Sequence, residues 1–141
     1  MVFRVKEDPL HREILEEHAR NPKFDNQLAT LTHEGTFQSS KTGNTCSIQL
    51  RVEDNQIKEL ALTIQGSALA IAVASILSCE IVGLTRSTAE NIRQQLINLL
   101  EGDKIADLPG ELCVYESLKR FPERHDCALL AWRAMEVALA S

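Results

Sequence analysis

Apolar and polar residues follow one another in two rhythms along this chain, and the rhythm changes at Gly66. Before it the period is two. Across Thr45 to Val52, the residues Cys46, Ile48, Leu50 and Val52 alternate with Ser47, Gln49 and Arg51, which predicts a strand with one buried face. Ile57 to Gln65 repeats the pattern, with Leu60, Leu62 and Ile64 on one side, and Glu53 to Gln56 supplies the hairpin turn. Thr32 to Ser39 gives a weaker third signal. The three make a small antiparallel meander with one covered face. Ahead of them Asp8-Pro9 opens a helix, with aspartate as N-cap and proline at the first helical position. That helix runs through Leu10, Ile14 and Leu15 to about His18 and breaks at Asn21-Pro22. Lys23 to Leu31 reads as loop.

After Gly66 the pattern is helical. Ser67 to Val82 is apolar almost all round and ends at Gly83, which predicts the central buried helix. Ser87-Thr88-Ala89-Glu90 has the form of a capping box for a helix carrying Ile92, Leu96, Leu99 and Leu100 and stopping at Gly102. Asp107 to Gly110 reads as loop. Leu112 to Arg120 reads as a short helix ended by Phe121-Pro122, and a last helix runs from about Asp126 to Ala140. The order of helix, three strands and helices predicts an α+β fold: a three-stranded antiparallel sheet with helices packed on one face, residues 1–141 forming one domain.

Composition excludes several classes of function. A net charge of −5 and 4% aromatic residues leave neither a basic stripe nor a stacking platform for nucleic acid. The longest largely apolar run, Ala68 to Leu77, is too short to span a bilayer. Met1 to Asp8 is charged and lacks the apolar core of a signal peptide, so a cytoplasmic protein is expected. No two of Cys46, Cys79, Cys113 and Cys127 have C-x-x-C spacing, which argues against a zinc ribbon or a thioredoxin-type motif. Disulfides are not expected in a reducing compartment. Cys46 falls on a buried strand position, and Cys79 and Cys113 are expected in the core. His11 and His18, seven apart, share a helix face but stand two turns from each other; they cannot share an ion, and a solvated face is expected. Trp132, among Leu129, Leu130 and Met135, is expected to anchor the last helix in the core.

The candidate chemistry lies in Phe121-Pro122-Glu123-Arg124-His125-Asp126-Cys127. A proline closes one element, and a cysteine then stands at the mouth of a helix. The first-turn N–H groups and the positive end of the helix dipole favour a sulfur anion there. Arg124 and His125 add to this and Asp126 works against it. Cys127 is therefore either a sulfur nucleophile or metal ligand, or a small apolar residue at the start of a core helix.

Three stretches resemble the U-type iron–sulfur cluster scaffolds, that is SufU, IscU and the N-terminal domain of NifU, over about Leu10 to Ala140. One is Ile14-Leu15-Glu16-Glu17-His18 with Asn21-Pro22. The second is the hairpin leading through Gly66 into an alanine- and serine-rich helix. The most specific is Phe121-Pro122-x-Arg124-x-x-Cys127-Ala128-x-Leu130-x-Trp132-x-Ala134, closest to the SufU branch, whose helical insertion Gly110 to Arg120 would supply. The resemblance implies a SufE/NifU-like fold and a role in iron–sulfur cluster assembly as scaffold or sulfur carrier rather than as a turnover enzyme. It implies a zinc ion or iron–sulfur cluster held by three cysteines and an aspartate. It also implies a cysteine desulfurase and other assembly proteins as partners.

The family's Cys-Gly-Asp falls on Thr42-Gly43-Asn44, and the next ligand cysteine on Ala68 in Gly66-Ser67-Ala68. Cys127 is the ligand position that remains. A shift placing Cys46 in the first ligand position would turn the strand's apolar face outward. One cysteine does not close a tetrahedral site, so the fold is expected to persist without the full metal site. Three readings follow. In one, Cys127 accepts sulfur with Arg124 supporting the thiolate; in another, the protein is a non-catalytic pseudo-scaffold that binds and regulates a desulfurase or another assembly protein; in the third, several subunits share a metal through Cys127.

Overall fold

The structure is a computed structural model that describes residues 8–102 and 108–140. Its elements are α1 (Pro9–Arg20), β1 (His33–Gln38), β2 (Thr45–Glu53), β3 (Gln56–Gln65), α2 (Ala68–Ile81), α3 (Arg86–Glu101), a 3-10 turn (Gly110–Val114), α4 (Tyr115–Leu118), a second 3-10 turn (Pro122–Arg124) and α5 (His125–Ala140). The strands form one antiparallel sheet in the order β1-β2-β3. Asp107, at the start of the expected loop, lies outside the described residues, as do Met1 to Glu7.

The period-two residues do what their alternation requires. Cys46, Ile48 and Leu50 on β2 and Leu60 and Leu62 on β3 are buried together. Glu53 pairs with Gln56 across a two-residue turn in which Asp54 and Asn55 both have positive φ, +52° and +65°. Asp and Asn tolerate that conformation better than other side chains, which suits them to a tight hairpin.

Helices α5 and α2 cover the apolar face, α5 on β1 and β2 and α2 on β3. The approach of α5 is closest at Gly35 on β1, where a Cβ would stand 2.5 Å from the backbone nitrogen of Ala138. Any larger residue at Gly35 would push α5 off the sheet, and with it the segment that carries Cys127. α2 is buried nearly all round, from Ala70 to Ile81, as its lack of polar positions predicts. Trp132 is fully buried, and its Nε1–H donates to the Tyr115 hydroxyl (3.0 Å), which donates in turn to the Ala128 carbonyl. Burial pushes the Tyr115 phenol well above its ordinary value, so this proton stays in place. No helix of the described residues is long and apolar enough to cross a membrane.

Five expectations need correction. Cys79 is exposed: in the last turn of α2, Ser78 and Ile81 take the buried side and Cys79 faces out. Cys113 is only partly buried. His11 and His18 do share a face, but the Gly110–Leu118 segment covers it. His11 Nδ1 meets Ser117 Oγ at 2.7 Å, while His18, 5% exposed, meets Ser75 Oγ at 2.6 Å and Glu111 Oε1 at 2.8 Å. The cap of α3 is Thr85 rather than Ser87; Thr85 Oγ1 accepts from Thr88 N, and Glu90 bonds Arg93 instead of reaching back. The expected helix Leu112 to Arg120 is a 3-10 turn followed by the single turn of α4.

Candidate functional site

Cys127 lies in the first turn of α5, half-buried, with its backbone fixed by the Pro122–Arg124 turn before it and the buried run Ala128–Trp132 after it. Two other pieces of chain meet its sulfur. The loop between β1 and β2 brings Asn44, whose Nδ2 donates to Cys127 Sγ at 3.6 Å. The start of α2 brings Ser67, whose hydroxyl donates to the same sulfur at 3.4 Å. Ser67 is also the N-cap of α2, its Oγ accepting from Ala70 N at 3.2 Å. One hydroxyl thus closes the helix and faces the thiol.

Gly66 permits this meeting. A Cβ there would come within 3.1 Å of the Asn44 carboxamide carbon and 3.3 Å of its nitrogen. That is tight enough to displace the amide, so the glycine that ends β3 leaves room for Asn44 to reach sulfur.

Asp126, the residue before Cys127, accepts from Ser39 Oγ at 2.5 Å and from Thr42 Oγ1 at 3.2 Å, both on Oδ2. The Arg124 guanidinium lies over the Phe121 ring, 4.3 Å from its centroid, in the turn that leads into α5. Stacking of this kind holds the cation by the ring's negative face.

The positions that the scaffold resemblance points to are brought together. Asn44 touches Cys127, Thr42 touches Asp126 beside it, and Ala68 follows Ser67 on the exposed rim. As a donor set they do not fit a zinc ion or an iron–sulfur cluster. A threonine, an asparagine and an alanine supply neither thiolate nor carboxylate, and such sites need three or four strong ligands. Among the described residues, no three His, Cys, Asp or Glu side chains are placed to hold a metal ion. Cys46 is fully buried on the core face of β2, which removes it as a ligand in the shifted alignment, and burial pushes its thiol up to about 12.

Sequence reasoning did not identify Ser39, or Ser67 and Asn44 as donors to sulfur. A serine three residues before Thr42 gives no pattern of its own, and hydroxyl and amide contacts that cross 60 to 87 residues leave no local signal.

A second polar cluster lies under α1. Ser75 Oγ accepts from Lys23 N at 2.7 Å and meets His18 Nδ1 at 2.6 Å, and the other ring nitrogen of His18 meets Glu111 Oε1 at 2.8 Å. Glu80 lies against Gly110, and its carboxyl is raised above the ordinary range by burial and by Glu111, against a hydrogen bond from the Glu111 backbone. The thiols of Cys79 and Cys113 are also pushed up, in each case by burial first and then by Glu111.

Comparison with known proteins agrees with the fold. The chain is 23% identical to the zinc-dependent sulfurtransferase SufU of Bacillus subtilis, with 99% of this chain and 96% of that protein covered. It is 25% identical to the iron–sulfur cluster assembly scaffold protein IscU of Thermotoga maritima over the same shares of the two chains. The crystal structure of the N-terminal part of a NifU-like protein from Brucella abortus superposes with a TM-score of 0.84 at 22% identity, covering 91% of this chain and 90% of that one. The model of the NifU-like N terminal domain matches residues 10–141. With its three-stranded sheet, its helical face and this match along nearly its whole length, the chain belongs to the NifU-like N-terminal domain family of iron–sulfur cluster assembly proteins.

Proposed function

We propose that this protein is a sulfur acceptor in iron–sulfur cluster assembly and that Cys127 carries the sulfur without a metal. The observation that supports this is the pair of donors, Asn44 Nδ2 and Ser67 Oγ, both on Cys127 Sγ. Hydrogen-bond donors aimed at sulfur suit its anionic form, which is the nucleophile. They equally suit the terminal sulfur of a persulfide. The assembly relatives, a sulfurtransferase among them, support the compartment of chemistry.

The step is an exchange at sulfur. The Cys127 thiolate attacks the terminal sulfur of a persulfide on a cysteine desulfurase. A new sulfur–sulfur bond forms at Cys127, the partner's sulfur–sulfur bond breaks, and the partner's cysteine leaves as thiolate. No net oxidation occurs, so no metal or further reagent is required. The terminal sulfur keeps its proton, and the proton first lost from Cys127 goes to solvent at this half-exposed site. Arg124, held on Phe121 three residues before the thiol, lends positive charge to the attacking Cys127 thiolate and to the thiolate that leaves.

Sulfur loading from a cysteine desulfurase and cysteine tests this. Wild type gains one sulfur atom, on the peptide bearing Cys127, and Cys127→Ser gains none there. Sulfur transfer that survives Cys127→Ser contradicts the reading. The replacement of ligand positions by Thr42, Asn44 and Ala68 favours a second reading, a non-catalytic partner that docks on the desulfurase. It is the better one if Cys127→Ser alters desulfurase turnover as wild type does while neither protein takes sulfur.

A further inference from the structure

Three pieces of chain converge on Cys127, and none of the joints between them is a metal bond: the donor set does not fit one. What holds them is a chain of hydroxyl groups that ends on Asp126. We propose that Asp126 is the positioning residue of this site, fixing the β1–β2 loop on α5 so that Asn44 reaches the Cys127 sulfur. The consequence for sulfur transfer rests on the acceptor reading above; the positioning itself does not.

The loop needs an anchor. Lys41, Thr42 and Gly43 are exposed, and Gly43 turns through a positive φ of +77°. An asparagine at the end of such a loop loses contact with a target more easily than one on a strand, because ordering each backbone residue costs about 1–2 kcal/mol. Ser39, 2% exposed, is the hub that offsets this. Its Oγ accepts from Lys41 N at 3.1 Å and from Thr42 N at 3.2 Å. Thr42 Oγ1 in turn accepts from Asn44 N at 3.2 Å. Each hydroxyl has one proton, and each proton goes to Asp126 Oδ2. The carboxylate therefore fixes both hydroxyls as donors toward α5 and leaves their lone pairs for the loop amides. A side chain at position 126 with no acceptor oxygen would leave those protons without a common acceptor.

This arrangement also accounts for a negative charge next to a nucleophilic sulfur, where it is otherwise unfavourable. Asp126 is covalently next to Cys127, so the group that orders the loop rides on the same helical turn as the thiol. Loop and sulfur are placed relative to each other by one rigid link.

The test couples three positions and reads Cys127 directly, by its exchange rate with a small aromatic disulfide, and Asn44 by its side-chain amide resonances. Asp126→Ala is expected to slow exchange about tenfold, the worth of one hydrogen bond to the sulfur, and to move the Asn44 amide to the position it takes in Cys127→Ala. Asn44→Ala is expected to slow exchange equally, and the double variant no further. Asp126→Asn, whose amide oxygen can accept both hydroxyls, is expected to restore most of the rate. Thr42→Val, at an exposed position, removes one of the two links without disturbing the core and is expected to give a smaller change of the same kind. Addition of a chelator is expected to change none of these values. The proposal is overturned if Asp126→Ala leaves the Asn44 amide unmoved, if its effect adds to that of Asn44→Ala, or if Asp126→Asn is no better than Asp126→Ala. If the coupling holds while wild type takes no sulfur from a desulfurase, the positioning stands and the acceptor reading falls.

Discussion

Around Cys127 the neighbouring side chains give hydrogens to sulfur; around Cys79 and Cys113 burial and nearby carboxylates oppose the thiolate. Asn44 and Ser67 donate to Cys127, while burial first, and then Glu111 and Glu80, push the other two thiols up. Exposure alone does not rank these thiols. Cys79 is the more exposed thiol, yet burial of part of its surface and two nearby acids hold its proton on. Cys127 is half-buried, yet its sulfur stands at the meeting of a helix start and two donors. A cysteine's use is set by what its neighbours offer, not by how much of it is seen.

Both regions join elements that are distant in sequence, and they differ in what breaking them should do. The His18 cluster joins α1, α2 and the Gly110–Val114 turn, with His18 and Ser75 buried. His18→Ala would leave Ser75 and Glu111 without their partner and a gap in the packing. We expect a loss of about 2–3 kcal/mol, measured by urea unfolding, with little change at Cys127. A comparable loss of thiol reactivity would show that the two regions are one unit. Asn44→Ala should do the reverse: unfolding within about 0.5 kcal/mol of wild type, as for most surface changes, and exchange at Cys127 slowed about tenfold.

Alkylation sharpens the contrast between thiols. Near neutral pH, iodoacetamide should label Cys127 ahead of the more exposed Cys79, and raising the pH should favour Cys79 increasingly, since its thiol is displaced upward and ionises late. Peptide mass mapping at several pH values checks this; equal labelling of both at every pH would remove the contrast. The smallest effect belongs to Glu80. Its carboxyl is raised in the folded protein, so it favours folding while protonated and loses that contribution as pH rises through its folded value. Glu80→Gln keeps an acceptor for the Glu111 backbone and removes the charge. It should raise the urea midpoint slightly near neutral pH, and the gain should vanish in acid.

The fold was legible because its signals are local and repeated. Alternation on β2 and β3, and the all-round apolar run of α2, each recur over many residues and survive single exceptions. Cys127 was legible as well, from the Phe121–Ala134 stretch. The rest depended on contacts that no local rhythm encodes. Ser39 and Asp126 are 87 residues apart, and Ser67 and Cys127 are 60 apart. Asn44 read as a lost ligand because the pattern shows which residue is there, not what its amide touches. His18 read as solvated because helix spacing tells which residues share a face but not what covers it; a segment ninety-three residues later does. The cap of α3 lies two residues before the capping-box pattern, since Thr85 and Ser87 are both good caps by residue type and the chain's exit from α2 decides between them.

The central claim is that this domain handles sulfur with one thiol in a hydrogen-bonded cradle. Its most direct test is the location of sulfur in protein first stripped with a chelator and then given a cysteine desulfurase and cysteine under anaerobic conditions. The account predicts one added sulfur atom per chain, on Cys127, in the same yield as unstripped protein. No sulfur on Cys127, sulfur spread over Cys79 and Cys113, or loading that returns only when zinc is restored would contradict it.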